Sequence, residues 1–443
     1  MATTGSVGAL VSLAGLLGCS SGSNEACQGL RCPPPAFQGV TPPVPAQQET
    51  PPTRMAPPAE AAPASLPTPS NPTDGVEMLP DPLLEPPLSD SERSQLTDID
   101  GLVRADPWNG IRATVVTEDK LLRAYLDWKT RFYKTCNDGS SYILKTDINL
   151  GDQVVSEGVA YGMLITVAVG DRGAFEGLWK HYRDRRNGNG LMNWRYEPCG
   201  AETGGNGASD ADLDAAMGLL LADSRWGGYA PDALALMTAI ATHEVQICDD
   251  GRSVLKPGDA WGGCGDIVNP SYFSPGYYRR FAGAQAERSE FWNKLTADTY
   301  GLLRGYQGQL DGLIPDWARA DGSLITDDRQ VFGYEAVRGP WRVAIDYAWS
   351  GNQDAREFLE AMSAHVDAQG GVAALADRED FDDKRNSAFL GTLSLPGIVT
   401  AQAHLDEYVR QWESYEKDDV WYYQATLRLL ALLVAGGFFP AEY

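Results

Sequence analysis

Val155-Ser156-Glu157-Gly158-Val159-Ala160-Tyr161-Gly162-Met163 sets one carboxylic acid among small and apolar residues, at the head of what reads as an apolar helix running to Val169. A carboxyl group half-sunk in such a setting loses hydration, which favours its protonated form and suits it to act as a general acid near neutrality. Working outward, apolar residues recur at helical spacing over 121–132, 159–169, 213–221, 233–245, 291–303, 343–349, 358–366 and 426–433. Strand-like alternation is scarce, and the segments between, such as 187–206 and 257–275, are rich in Gly, Asn, Asp and aromatic residues. Helix, decorated loop and helix repeat without the alternating strands of an α/β barrel, so the spacing predicts a mostly α domain.

The 443 residues divide unevenly. Of 28 prolines, 18 lie between positions 33 and 87, where aromatic residues are nearly absent. Such a segment buries too little apolar surface to offset its ordering entropy, so 19–88 is expected to be an extended, disordered spacer and 89–443 a single large domain. Ahead of it, Leu13-Ala14-Gly15-Leu16-Leu17-Gly18-Cys19 is too short to span a bilayer and suits a signal peptide over 1–18. Leu16-Leu17-Gly18-Cys19 resembles the bacterial lipobox, which implies acylation at Cys19 and an exported protein held at the outer membrane or cell surface, or secreted. No Lys or Arg precedes the apolar run, which departs from that pattern; an incidental cysteine in a small-residue tail is the plain alternative. Setting Cys19 aside leaves six cysteines, Cys27, Cys32, Cys136, Cys199, Cys248 and Cys264, an even number that suits disulfides in an exported chain, with the pairing open. No Cys-x-x-Cys occurs and the four histidines are scattered, so no metal site and no cofactor are expected. The formal charge of −24 argues against a nucleic-acid partner and suits a neutral or cationic polymer; it would equally serve plain solubility. Membrane contact is expected only through the lipid, and the domain is read as a monomer.

Three further segments carry acids and aromatics in the same loop-to-helix contexts: Leu191-Met192-Asn193-Trp194-Arg195, Ala208-Ser209-Asp210-Ala211-Asp212-Leu213-Asp214, and Tyr334-Glu335-Ala336-Val337-Arg338. Together with the Glu157 segment they resemble glycoside hydrolase family 8, the inverting enzymes that cut β-1,4-linked glucans, xylans and chitosans; the likeness covers about 102–438. The resemblance implies an (α/α)6 barrel whose inner helices point their loops into one long cleft. It makes Glu157 the proton donor, Asp210 the carboxylate that supports sugar distortion, and Glu335 the base that directs water. In most of the family the last position is Asp, so Glu335 stands one methylene further out, and Arg338 is expected to keep it ionised and oriented. Read as local structure alone, Glu157 would favour its helix dipole, Ser209 or Asp210 would cap a helix, and Glu335 with Arg338 would be a surface pair. Asp212 and Asp214 are expected to anchor neighbouring loops.

Sugar rings present flat C–H faces, and Tyr161, Trp194 with Arg195, Trp261, Tyr272, Tyr334 and Tyr422 are the candidate substrate contacts. The expected activity is endo-acting hydrolysis of a β-1,4-glucan. Asp249, Asp250, Asp259 and Asp266 keep a chitosan substrate open, xylan stays open too, and a glycan-binding surface lipoprotein without turnover, or a scaffold, is the reading from another class.

Overall fold

The computed structural model of the chain describes residues 86–147, 151–376, 385–414 and 420–440. The expected signal peptide, Cys19, Cys27, Cys32 and nearly all of the spacer lie outside them. Pro86 to Leu88, assigned to the spacer by sequence, already belong to the domain: Leu88 is buried and the carbonyl of Pro86 accepts from Arg123.

Fourteen helices are described: α1 (Asp90–Ser94), α2 (Glu118–Phe132), α3 (Ser156–Val169), α4 (Arg172–Arg183), α5 (Ser209–Trp226), α6 (Ala230–His243) and α7 (Pro275–Ala284) in the first half. The second half holds α8 (Ser289–Gln307), α9 (Arg338–Ser350), α10 (Gln353–Ala368), α11 (Val372–Ala376), α12 (Ser387–Ser394), α13 (Gln402–Ser414) and α14 (Tyr422–Ala435). Apart from the short α1 and α11 they alternate between two rings. Inner α3, α5, α7, α9 and α12 each pack on the outer helix that follows, and outer α2 lies against α14. Helix α14 touches both α3 and α12 and so closes the inner ring, giving the (α/α)6 barrel.

The two rings differ in composition for a physical reason. Helix α3 buries every residue except Glu157, because it meets neighbours on all sides. Outer α4 buries Phe175, Leu178, Trp179 and Tyr182 while Arg172, Glu176 and Arg183 face water, the pattern of a helix with one covered stripe. Helical spacing missed α4, α7, α12 and α13.

Spacing also missed the sheet. Strands β1 (Tyr133–Thr135), β2 (Ser141–Asp147), β3 (Gly151–Val155), β4 (Arg195–Tyr196) and β5 (Glu202–Gly204) pair in that order, all antiparallel. Two ribbons, β6 (Val245–Ile247) with β7 (Ser253–Leu255) and β8 (Ile267–Val268) with β9 (Ala318–Arg319), complete the set. Most of these strands are too short to show period-two alternation. Two disulfides brace the loops: Cys136–Cys199 ties the β1–β2 turn to the β4–β5 turn, and Cys248–Cys264 ties the β6–β7 turn to the loop before β8.

Candidate active site

Strand β3 runs directly into α3, so Glu157 stands in the first turn of an inner helix. Asp210 stands in the first turn of α5, Arg338 opens α9, and Tyr422 opens α14. Asn269 and Tyr272 lie just ahead of α7, and Asn386 is the N-cap of α12. The amino ends of the inner helices thus converge on one site, where their unpaired N–H groups and dipoles favour negative charge.

Arg338 is the hub. Its Nη1 donates to Glu157 Oε2 at 2.6 Å and to Asp210 Oδ2 at 2.8 Å, and its Nη2 donates to Glu335. It is buried, so the surface-pair alternative for Glu335 and Arg338 does not describe it. Asn269 Nδ2 adds a second bond to Glu335 Oε2 at 2.8 Å, and the Tyr272 ring lies 4.8 Å from the guanidinium carbon. Glu157 and Glu335 each bond to one guanidinium, so their nearest oxygens are at most about 7–8 Å apart, two hydrogen bonds plus the span of the group.

Burial differs among the three acids. Glu157 keeps an 18% exposed side chain and accepts from the Tyr422 hydroxyl as well as from Arg338, so it faces polar groups rather than the apolar setting its neighbours suggested. Asp210 is 3% exposed, and its Oδ1 is buried with no hydrogen-bond partner. Burial pushes the Asp210 carboxyl up to about 7, against the pull of Arg338 and with a further push from Glu157. Neither Ser209 nor Asp210 caps α5: the N-cap is Ala208, and Ser209 Oγ donates to the Lys256 carbonyl at 2.6 Å.

Asp212 and Asp214, expected to anchor loops, divide: Asp212 holds a loop and Asp214 holds helix α9. Asp214 forms a two-pronged pair with Arg342 at 2.8 Å and 2.8 Å. Asp212 accepts from the Tyr182 hydroxyl and from the Met192 N–H at 3.3 Å, which fixes the loop ahead of Trp194.

Tyr272 is half-buried against Arg338, and the other aromatic candidates fall into two groups. Trp194, Trp261 and Tyr334 are partly exposed, with Arg195 stacked 4.6 Å from the Trp194 ring centre. Gly204 sits under the Trp194 indole, where an added Cβ would fall 2.6 Å from the ring. Tyr161 and Tyr422, by contrast, are buried. Tyr422 spends its hydroxyl on Glu157, and the Tyr161 and Trp341 rings stand perpendicular with centres 6.0 Å apart. These two serve the cluster from below rather than presenting a face to a ligand.

Several neighbours were not singled out by sequence reading. Trp317 stands between Trp261 and Tyr272, with ring centres 5.5 Å and 6.4 Å away. Asp316 binds the loop that carries Glu335, and Asn386 donates to the Tyr334 hydroxyl at 3.0 Å. Pro315-Asp316-Trp317 lies in a loop with no periodicity, so only the fold reveals it. Among the described residues no group of three or more His, Cys, Asp or Glu is arranged to hold a metal ion.

Residues 115–437 match the family model described as Glycosyl hydrolases family 8. The chain belongs to this family. It is 31% identical over 332 residues to Endoglucanase A of Acetivibrio thermocellus, covering 71% of this chain and 68% of that one. It is 32% identical over 332 residues to Endoglucanase 2 of Ruminiclostridium josui, covering 71% and 70%. Among solved structures, a β-1,3-1,4-glucanase from Paenibacillus sp. X4 superposes with a TM-score of 0.62 at 23% identity, over 76% of this chain and 95% of that one, a likeness of fold. As a member of glycosyl hydrolases family 8, the protein is a glycosidase.

Proposed function

We propose that the protein cleaves internal β-1,4 bonds of a glucan with inversion, Glu157 acting as acid and Glu335 as base. The observation that carries this reading is the Arg338 hub, which gathers three carboxylates from separate segments at one point. An inverting glycosidase needs its two carboxyl groups about 6.5–9.5 Å apart, so that one water fits between base and sugar, and the shared guanidinium sets a ceiling of about 7–8 Å on that separation. One cation faces three acids, and burial raises the Asp210 carboxyl towards its protonated form. Asp210 and Glu157 accept from the same Nη1, and Glu157, the more exposed of the two, gives its carboxyl proton to the leaving oxygen and is left as the carboxylate. Glu335 then takes a proton from water attacking the opposite face.

Glucan is favoured over chitosan because two of the acids considered for cationic sugars have other partners. Asp250 pairs with Arg252, and Asp259 accepts from Asn187, Asn189 and the Gly207 N–H. Endoglucanase A of Acetivibrio thermocellus is 31% identical over 71% of this chain, whereas the exo-oligoxylanase of Halalkalibacterium halodurans, which covers 70% of it, is 24% identical. The deciding experiment follows products from carboxymethyl-cellulose, mixed-linkage glucan, chitosan and xylan by NMR. Internal cuts in glucan with the α-anomer formed first, abolished in Glu157→Gln and Glu335→Gln, are the expected result. A glycan binder without turnover would release nothing, and a β-anomer as first product would remove Glu335 as base. Export and lipidation at Cys19 belong to the same proposal: labelled palmitate should enter the wild-type chain and not Cys19→Ser.

A further inference from the structure

We propose that Asp316 is a positioning residue for Glu335, and that the Asp316-Trp317 dipeptide couples sugar contact to the placement of the base. The inference rests on the reading of Glu335 as base. One oxygen, Asp316 Oδ1, accepts the backbone N–H groups of Gly333 at 2.8 Å, Glu335 at 3.2 Å and Ala336 at 2.8 Å. The main chain repeats the tie: Asp316 N–H donates to the Val331 carbonyl at 2.8 Å and Trp317 N–H to the Arg329 carbonyl at 3.1 Å. Position 333 admits no side chain beside this carboxylate, since a Cβ there would lie 2.3 Å from Asp316 Oδ2.

The need for such a tie follows from the geometry of a glutamate. Glu335 lies ahead of α9, outside the helix, and its side chain is 35% exposed. Asn269 and Arg338 hold the carboxylate end. Without a fixed backbone the three torsions between would let the carboxylate drift. Asp316 supplies that fixed end by gathering three N–H groups ahead of α9, a concave arrangement that suits an anion. Burial pushes its carboxyl up, while the three N–H bonds favour the charged form.

Trp317, the next residue, sits half-buried between Trp261 and Tyr272. A sugar resting on this series therefore presses on the segment that holds the base. Long substrates that reach it should gain turnover as well as affinity, because part of their binding energy steadies the reacting geometry.

The test measures kcat and KM on cellotriose, cellohexaose and carboxymethyl-cellulose for wild type, Asp316→Asn, Asp316→Ala and Glu335→Ala, with melting curves for each. Misplacing a reacting group by an ångström costs on the order of 100-fold, so Asp316→Ala should lower kcat on cellohexaose by about 30-fold with KM within about twofold. Asp316→Asn, which keeps an acceptor oxygen, should lose only about fivefold, since charge-assisted bonds are roughly twice as strong as neutral ones. The kcat advantage of cellohexaose over cellotriose should shrink in both. If Asp316→Ala does not fold, the kcat loss and length dependence of Asp316→Asn decide alone. Wild-type kcat in a folded Asp316 variant while Glu335→Ala is inactive would overturn the positioning role, as would a rise in KM without loss of kcat. Retained activity in Glu335→Ala would instead overturn the base assignment.

Discussion

Ser156, the residue before Glu157, gives its backbone N–H to the carbonyl of Trp194 at 2.9 Å. A rim tryptophan and the candidate acid are thereby joined through β3 and β4, where Val155 is paired with Arg195. Disturbing the indole and disturbing the strand should have separable effects. Trp194→Ala removes a stacking face and should raise KM on long glucans by about tenfold, about 1.4 kcal/mol, with kcat little changed. Gly204→Val drives a side chain into the indole from β5 and should lower kcat as well, because the displacement passes through β4 to the first turn of α3. Equal KM effects with equal kcat in the two variants would show that the strand does not transmit the displacement.

Arg338 cannot be replaced by another cation. A lysine ammonium offers no planar pair of nitrogens to reach Glu157, Asp210 and Glu335 together. Arg338→Lys should lower kcat by about 100-fold or more through loss of alignment. Arg338→Met leaves buried Asp210 without its partner and should destabilise the fold by about 3–5 kcal/mol, read by denaturant unfolding.

Asp210 is not the only raised acid. Glu244 is buried beside the Asp212 carboxyl, and the two share a side-chain hydrogen bond that requires one of them to carry a proton. Burial, then the Asp212 charge, pushes Glu244 well up; burial also pushes Asp212 up to about 7, against the bond from Tyr182. A carboxyl raised in the native state holds a proton that the unfolded chain releases. Its stabilising contribution is therefore full below about pH 4 and is lost as pH rises through the native value. The melting temperature should fall as pH rises from about 4 through about 7, and Glu244→Gln, whose amide donates without titrating, should flatten that fall and gain most on the alkaline side. A melting temperature that climbs over the same range, or a variant that follows the wild-type slope, would contradict this account.

Cys248–Cys264 spans 16 residues and carries Trp261 inside its loop. Opening a loop of that size should cost about 3 kcal/mol of stability. The same loop also meets the start of α5, through Ser209 N–H to Pro257 at 3.2 Å and Gly207 N–H to Asp259 at 2.9 Å. Cys248→Ser with Cys264→Ser should thus raise KM for long glucans more than for cellotriose. A uniform loss of rate across substrate lengths would indicate general unfolding instead.

Much of this protein was legible before any coordinates. The apolar run after Glu157 reads as a covered helix, because no charge interrupts it and a surface helix needs a wet face; its place in an inner ring was implied by the family resemblance. The three acids, the arginine and the rim tryptophans were named from their segments. Other features lay beyond local pattern. The five-stranded sheet depends on partners far apart in sequence, with strands down to two residues long. Asp316 looks like any loop aspartate until its oxygen meets Gly333, Glu335 and Ala336.

Sequence by itself determined which residues are apolar all round and which chemical groups stand at the heads of α3, α5, α9 and α14, since periodicity and side-chain chemistry are local properties. Tertiary structure decided burial and partnership. It sank Asp210 deeper than Glu157, took Tyr161 and Tyr422 out of the candidate sugar contacts, and put one guanidinium within reach of three carboxylates. Those outcomes depend on ring closure by α14 against α3 and α12, a contact between segments far apart in the chain. Solvation and charge pairing are set by distance in space, and local sequence carries no record of that distance.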